Sequence, residues 1–481
     1  MVLGLLVGWI TVHHPLPVLG ILTGCVLIWA IGVTPLSVLT LLLILSPLRT
    51  LIATEANLAL PLDIGQMLFI GLVVMWWWHA VIRHEWHLHL PHSPIFWAVA
   101  LFTVVISWTT FSALSMQFWL TEWLKWVTVL VMIVLVIDLG QQRNWELMLI
   151  GLIGAGIGNA GIGLYIFFGG SGADHLLINE QFFRAFGTFG QPNPFGGFLG
   201  LLIPLAIMST YGYGSRLWRT WEISSHIHPG LLLKLLYYGT GSFVMIAGLI
   251  ASWSRGAWLG FVVSMAVIAF CLPRRLWQSL LLSGIAIVLV AGLWFSGFIP
   301  VSIQQRLLSS TEELLLFSDV RGVDITTSNY AIVERLAHWQ AAINMAQENP
   351  WWGIGFGNYE VAYAEYRLIN WNFPLGHAHN YYLNILGEAG MIGFLFYMGM
   401  WFTIVVITWF VRCHPDVLIR SLSVGMLGSW SYLAFHSLLD NLYVNNIFLH
   451  LGLMLGFIGL FYQKTQSSIL WGTYVSNNNQ Y

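Results

Sequence analysis

Apolar runs of membrane-spanning length recur along the whole chain, separated by short polar stretches and by one long one. A bilayer core needs roughly 20 consecutive apolar residues per helix, fewer for short or re-entrant pieces. On that measure spans are expected near 1–12, 17–33, 35–48, 62–82, 94–111, 119–138, 146–168, 194–211, 231–251, 255–272, 276–297, 382–411, 418–439 and 445–462. Pro15, Pro17 and Pro35 interrupt the first three, which can merge or re-enter. The expected fold is therefore all-α, a polytopic transmembrane helical bundle of about 12–14 helices with one large loop between the eleventh and twelfth apolar segments. A transmembrane β-barrel would alternate apolar and polar residues in segments of about 10, whereas these runs are continuously apolar. The chain divides accordingly into N-terminal transmembrane helices (1–297), the large loop (298–381), C-terminal transmembrane helices (382–464) and a polar tail (465–481). The N-terminus carries neither a basic region nor a small-residue cleavage site and reads as a first helix rather than a removed signal peptide.

Composition agrees. With 58% hydrophobic, 15% aromatic and 8% charged residues over 481 positions, the chain is not a water-soluble globule, whose charged fraction is about 25%. A net charge of −2 gives no footing for nucleic acid. Cys25, Cys271 and Cys413 are isolated in or beside apolar segments, without disulfide-like spacing or metal-ligand partners.

Lys and Arg collect on cytoplasmic loops near helix ends. If the N-terminus is inside, inner loops receive Arg83, Arg143, Arg216, Arg219, Lys234, Arg274, Arg275, Arg412, Arg420 and Lys464, ten of the eighteen basic residues. Of the remainder, Arg306, Arg321, Arg335 and Arg367 fall in the long loop, where the rule has little force, leaving Arg49, Lys125, Arg184 and Arg255. This bias places both termini in the cytoplasm and puts residues 298–381, 170–193 and 252–255 outside.

The long loop carries Trp339, Trp351, Trp352, Tyr359, Tyr363, Tyr366 and Trp371, enough aromatic area to pack against the membrane surface. Residues 334–346 read as an amphipathic helix that Asn349-Pro350 ends, and Gly353-Ile354-Gly355-Phe356-Gly357 reads as a tight turn, since the strand of a dinucleotide fold is absent. The inner stretch Arg83-His84-Glu85-Trp86-His87-Leu88-His89-Leu90-Pro91-His92 has no closed zinc spacing and reads as an interfacial segment at headgroup level. The loop acids Glu312, Glu313, Asp319 and Asp324 form no metal motif either.

The most informative stretch follows the long loop: Gly376-His377-Ala378-His379-Asn380, then Gly390-Met391-Ile392-Gly393. Preceding it in order are Pro192-Asn193-Pro194, Ser254-Arg255-Gly256-Ala257, Glu334-Arg335 with Trp339, and Pro350-Trp351-Trp352-Gly353-Ile354-Gly355. This order resembles the O-antigen ligase and O-antigen polymerase superfamily over roughly residues 180–460, most specifically at His379-Asn380 with its following Gly-x-x-Gly. The resemblance implies an inverting membrane glycosyltransferase that takes a glycan from a polyprenyl diphosphate, usually undecaprenyl diphosphate, on the outer face of the plasma (inner) membrane. It also implies a metal-independent reaction without cofactor, in which arginines replace the divalent cation.

Such a transfer needs a general base for an acceptor hydroxyl and cations for the departing diphosphate. An imidazole titrates near neutrality, which makes His379 the expected base; His377, two residues away, remains an alternative that the family pattern disfavours. Arg184, amid aromatics and glycines, is placed to hold a phosphate bidentately. Arg255 begins a helix, the wrong end for the dipole, so an anionic ligand would relieve its cost. Arg335 serves either the diphosphate or an ion pair with Glu334, Glu360 or Glu365. Asn193, Asn380, His436 and Asp440 are supporting candidates, the last two four apart on one helical face and able to orient His379, to bind sugar hydroxyls, or to satisfy each other. Glu388, about 13.5 Å from His379 along a continuous helix, is not expected to pair with it.

The expected partners are the lipid bilayer, a polyprenyl-diphosphate-linked glycan donor, and an acceptor hydroxyl on a glycan, a lipid or a protein. A lipid A core as acceptor makes the protein a lipopolysaccharide ligase, a second lipid-linked glycan makes it an exopolysaccharide or O-antigen polymerase, and a protein hydroxyl makes it an O-oligosaccharyltransferase. Readings of a different class are a bicarbonate-type transporter, against which the large loop argues, and a non-catalytic scaffold in polysaccharide export.

Overall fold

The computed structural model describes residues 34–55, 62–82, 91–141, 144–169, 172–178, 181–297, 304, 319–326 and 329–478. The expected spans 1–12 and 17–33, most of the histidine-bearing stretch 83–92, and Glu312 and Glu313 lie outside these residues.

Helix α1 (Pro35–Leu45) starts where Thr34 accepts the Ser37 N–H and proline fills the first turn, then passes through a 3₁₀ turn at Ser46–Leu48 into α2 (Arg49–Glu55). There follow α3 (Ile64–Ile82), α4 (Pro94–Ser107), α5 (Met116–Leu139) and α6 (Trp145–Gly169). A minimal antiparallel hairpin, β1 (Leu177–Ile178) on β2 (Phe182–Phe183), leads to α7 (Pro192–Ser224), α8 (Pro229–Ala251), α9 (Arg255–Cys271) and α10 (Leu276–Phe295). The long connection contributes α11 (Tyr330–Glu348) and α12 (Tyr359–Tyr366), and the chain continues through α13 (Tyr381–Val411), α14 (Val417–His436) and α15 (Ile447–Asn478).

Nine of the described helices are long and apolar enough to cross a membrane: the α1–α2 stretch Pro35–Ala53, α3 through α8, α13, and Ile447–Ser468 of α15. α9 and α10 are shorter apolar helices, and α14 packs between α7 and α9. The protein is thus a multi-pass helical membrane protein. Large apolar side chains on the outer helices face outward, among them Val74, Trp97, Leu101, Val288 and Phe402, as a lipid-solvated surface requires.

The centre is α7 against α14, α8 and α9. Apolar burial does not drive helices together inside lipid, so close backbone approach and interhelical hydrogen bonds matter more. Both occur here. A Cβ on Gly200 would fall 2.0 Å from the ring of Tyr432, while the Tyr432 hydroxyl donates to the Gly196 carbonyl (3.1 Å) and Ser429 donates to the Leu201 carbonyl (2.7 Å).

Two helices overrun their expected ends. α7 was expected over 194–211 but continues to Ser224, because one terminal nitrogen of Arg216 within it donates to both carboxylate oxygens of Asp416 at the start of α14 (2.9 and 2.7 Å) and the guanidinium approaches Glu146 of α6 (3.9 Å), which Lys234 of α8 also pairs. The polar residues that looked like a loop are thereby satisfied on a helix. α15 runs to Asn478, past position 464 where a tail was expected; no proline interrupts it.

Candidate active site

The segment Leu375–Asn380 is a tight turn that leads into α13. Leu375, Gly376 and His379 have φ of 52, 79 and 53°, so His379 occupies the left-handed region that few non-glycine residues adopt. Four hydrogen bonds hold it there. The His379 N–H donates to His377 Nδ1 (3.0 Å), the Ala378 N–H donates to the Asn384 side chain (3.1 Å), and Asn380 caps the helix by accepting the Tyr382 and Leu383 N–H groups (both 3.1 Å). Asn380 is thus a capping residue that fixes the direction of its neighbour.

The first bond separates the two histidines chemically. His377 Nδ1 accepts, so in its neutral form the ring carries its proton on Nε2, which lies 3.5 Å from Asp440 Oδ1. Burial, opposed by Asp440, pushes His377 down to about 4. Both its nitrogens are engaged inside the protein. His379 turns Nδ1 towards the same carboxylate oxygen at 3.7 Å, an ion-pair separation rather than a hydrogen bond. Nδ1 is enclosed, so the exposure that the ring retains belongs to its other edge.

Asp440 is therefore the hub. α14 ends at His436, and Asp440 lies beyond it, its N–H donating to the His436 carbonyl (2.9 Å). The expected helical face shared by His436 and Asp440 does not form. Burial favours the neutral acid, yet the surrounding imidazoles outweigh it and hold the Asp440 carboxyl well below the usual carboxylate range. His436 is buried behind the site, stacked on Tyr432 at 5.5 Å.

The arginines gather on the same side. Arg184 follows β2; its Nε donates to the Ser252 carbonyl (3.1 Å), and one terminal nitrogen reaches the Trp253 carbonyl (3.3 Å) and Asn193 Oδ1 (3.5 Å). Asn193, in the first turn of α7, also accepts from Ser254 (3.0 Å), the residue before Arg255. Burial, with the charges of Arg255 and Arg335 beside it, lowers Arg184 to about 10. Arg335 of α11 also acts on His377. Residues from the α6–α7 loop, the start of α9, the long loop, the α13 turn and the segment after α14 therefore meet at one place.

His338, not foreseen in the sequence, supports this site. Its ring is stacked on Tyr363 at 4.7 Å and set edge-on to His379 at 5.8 Å. The Tyr359 hydroxyl donates to the His338 carbonyl (3.2 Å) and meets Nδ1 at 2.8 Å, and Tyr363 reaches Nε2 (3.4 Å). A ring so enclosed stays neutral, and burial with the neighbouring imidazoles pushes it down to about 3. The sequence signal was only its place on the apolar face of α11.

The glycine-rich turn docks this loop onto α13. Ile354 and Gly355 donate to the Gly387 and Glu388 carbonyls (3.1 and 3.0 Å), while Met391 and Ile392 donate to the Pro350 and Trp351 carbonyls (2.8 and 3.3 Å). α13 opens for this exchange at Gly390, whose φ of 65° and ψ of −169° are not helical. Glu388, expected on a continuous helix, instead lies buried at the break and accepts the Tyr359 N–H (3.0 Å).

His377, His379 and Asp440 hold one ligand atom each within 4.8 Å of one another, a spacing that a cation could bridge. Ligation by His377 Nε2 would require the proton to move to Nδ1, which already accepts the His379 N–H.

Residues 240–398 match the family described as O-antigen ligase. The match runs from α8 to the middle of α13 and includes Arg255, Arg335, His338, His377 and His379; Arg184, Asn193, His436 and Asp440 lie outside it. No curated protein matches the chain.

Proposed function

On the match of residues 240–398 to the O-antigen ligase family, we propose that the chain is a membrane glycosyltransferase of that superfamily and transfers a glycan from a polyprenyl diphosphate, undecaprenyl diphosphate in bacterial envelopes, to an acceptor hydroxyl at the extracytoplasmic face of the inner membrane. The observation that carries this reading is the meeting of Arg184, Arg255 and Arg335 with an imidazole pair held on Asp440. Three half-buried cations at one place suit a diphosphate, and a partly exposed imidazole backed by a carboxylate suits a hydroxyl.

The acceptor oxygen attacks the anomeric carbon and forms the new glycosidic bond. The bond from that carbon to the diphosphate oxygen breaks, its electron pair leaving with the phosphate. His379 takes the acceptor proton on Nε2, and Asp440 stabilises the imidazolium that forms, 3.7 Å from Nδ1. A single displacement inverts the anomeric centre. Arg184 and Arg255, with Arg335, offset the charge that grows on the leaving diphosphate, the part a divalent cation plays elsewhere. His377, with both nitrogens engaged, positions Asp440 and the turn.

The outward orientation rests on the basic residues: Arg216, Arg219, Lys234, Arg274, Arg275, Arg412 and Arg420 lie near the helix ends remote from the site, where the positive-inside bias places the cytoplasm.

The test is a purified-protein assay with a glycan on polyprenyl diphosphate and three acceptor classes, a lipid A core, a second lipid-linked glycan and a serine-bearing protein. Product on one acceptor, lost in His379→Ala, supports the reading and sorts ligase, polymerase and protein glycosylation. Solute flux in proteoliposomes with the glycan donor unchanged would overturn it.

A further inference from the structure

At the end of the bundle remote from His379, α7 and α14 border an open cavity of 520 Å³ lined by Tyr211, Trp218, Arg219, Glu222 and Arg420. Three elements place it there independently. Arg219 lies 26 residues along α7 from Asn193, about 39 Å at 1.5 Å per residue. Arg420 lies in the first turn of α14, about 24 Å from His436 at the other end. Arg274 follows the C-terminus of α9, which began at Arg255. The charges of Arg274 and Arg219 both act on Arg420. The separation is close to a hydrocarbon core of about 30 Å, so this cavity sits at the headgroup level of the opposite leaflet.

Its acids are already engaged. Asp416, the carboxylate that acts on Arg420, is held through both oxygens by one nitrogen of Arg216; Glu146 is paired by Lys234; and Glu222 accepts the Trp218 indole N–H (2.7 Å). Among the described residues no carboxylate lies in ion-pairing distance of Arg219, Arg274 or Arg420. Trp218 and Tyr211 at the rim are 60% and 49% exposed, the placing that amphipathic rings take at a membrane interface. Two arginines, Arg219 and Arg420, line a concave, aromatic-rimmed site at headgroup depth, and the charge of Arg274 reaches it from beside them, a set that matches a phosphate group on a lipid.

We infer that Arg219, Arg274 and Arg420 form a phosphate-binding site for an anionic phospholipid headgroup on the face of the membrane opposite the active site. It holds the α7, α9 and α14 ends together through a lipid, and it stands apart from the transfer chemistry.

Native mass spectrometry of the full chain in detergent, titrated with phosphatidylglycerol, phosphatidylcholine or inorganic phosphate, tests this. Selective retention of phosphatidylglycerol, falling about fivefold for each of Arg219→Gln, Arg274→Gln and Arg420→Gln and unchanged in Arg275→Gln, is the expected result. Equal retention of the two lipids, or selectivity that survives the triple substitution, overturns the site. Phosphate that binds with no competition from phosphatidylglycerol overturns the lipid as occupant and leaves a free-anion site. Glycan transfer by each variant, measured alongside, reports folding and keeps this outcome separate from that of the proposed activity.

Discussion

Gly353 and Gly390 each lie against the backbone just before the other: a Cβ on Gly353 would fall 2.3 Å from the Glu388 carbonyl carbon, and one on Gly390 would fall 2.3 Å from that of Trp351. Both have positive φ, 67 and 65°. The pair brings the long loop into register with α13, and through Tyr359 and His338 that register reaches His379.

Substituting either glycine with alanine therefore strains the backbone and forces the two strands of chain apart. Gly390→Ala is expected to destabilise the protein by about 3 kcal/mol or more, from left-handed strain of about 1–3 kcal/mol plus the clash. Thermal unfolding in detergent measures it. Gly399→Ala, on the same helix with open space around its Cβ, is the control and should leave the midpoint in place or raise it slightly.

His379→Ala is expected to lower the turnover number about 100- to 10,000-fold while donor binding is retained, since a general base acts in the transition state. Asp440→Asn should lower turnover less, because it removes the charge behind the imidazole but not the imidazole. If His377→Asn abolishes turnover and His379→Ala does not, the roles are reversed.

How much of this was legible in the sequence depends on the kind of signal. The helical class follows from continuous apolar runs, and His379-Asn380 was visible because it sits at a polar-to-apolar junction in a recognisable order. Asp440 was visible as a residue that could orient His379 or pair with His436; that it faces the His377–His379 turn depends on α14 ending at His436, a boundary that the apolar pattern placed near 439. Gly390 in an apolar run reads as a glycine tolerated in a helix, and nothing local says that another segment's backbone lies against it. His338 was hidden for the same reason: its role is set by Tyr359, Tyr363 and His379, which are 21 to 41 positions away.

Arg184→Lys keeps the charge but loses the planar fork that reaches the Ser252 and Trp253 carbonyls and Asn193 together. Loss of charge-assisted hydrogen bonds worth about 1.5–3 kcal/mol predicts roughly 10- to 100-fold weaker transfer. Arg255→Lys should behave similarly if both hold the leaving diphosphate. The measurement is kcat/KM against donor concentration; an unchanged value assigns Arg184 a purely structural part.

Chelation should leave turnover intact. The His377–His379–Asp440 group is the one described cluster with spacing for a cation, and its turn keeps the proton on His377 Nε2. Full activity after dialysis against EDTA is the expected result, and activity restored only by added divalent metal would refute the arginine-based mechanism.

Acid should loosen the loop before the bundle. His338 is held at about 3 and His377 at about 4, both below the ordinary 6.5 that they regain on unfolding. Below pH 6.5 the unfolded state binds protons that the folded state refuses, so stability is complete above that pH and declines as pH falls through 6.5 towards the folded values. Hydrogen exchange over residues 330–366 should rise across that window while α7 and α14 stay protected. In His338→Gln, which removes the larger of the two shifts, the rise should flatten even though the substitution lowers stability at every pH. Parallel curves for the two proteins would mean that another group sets the acid response.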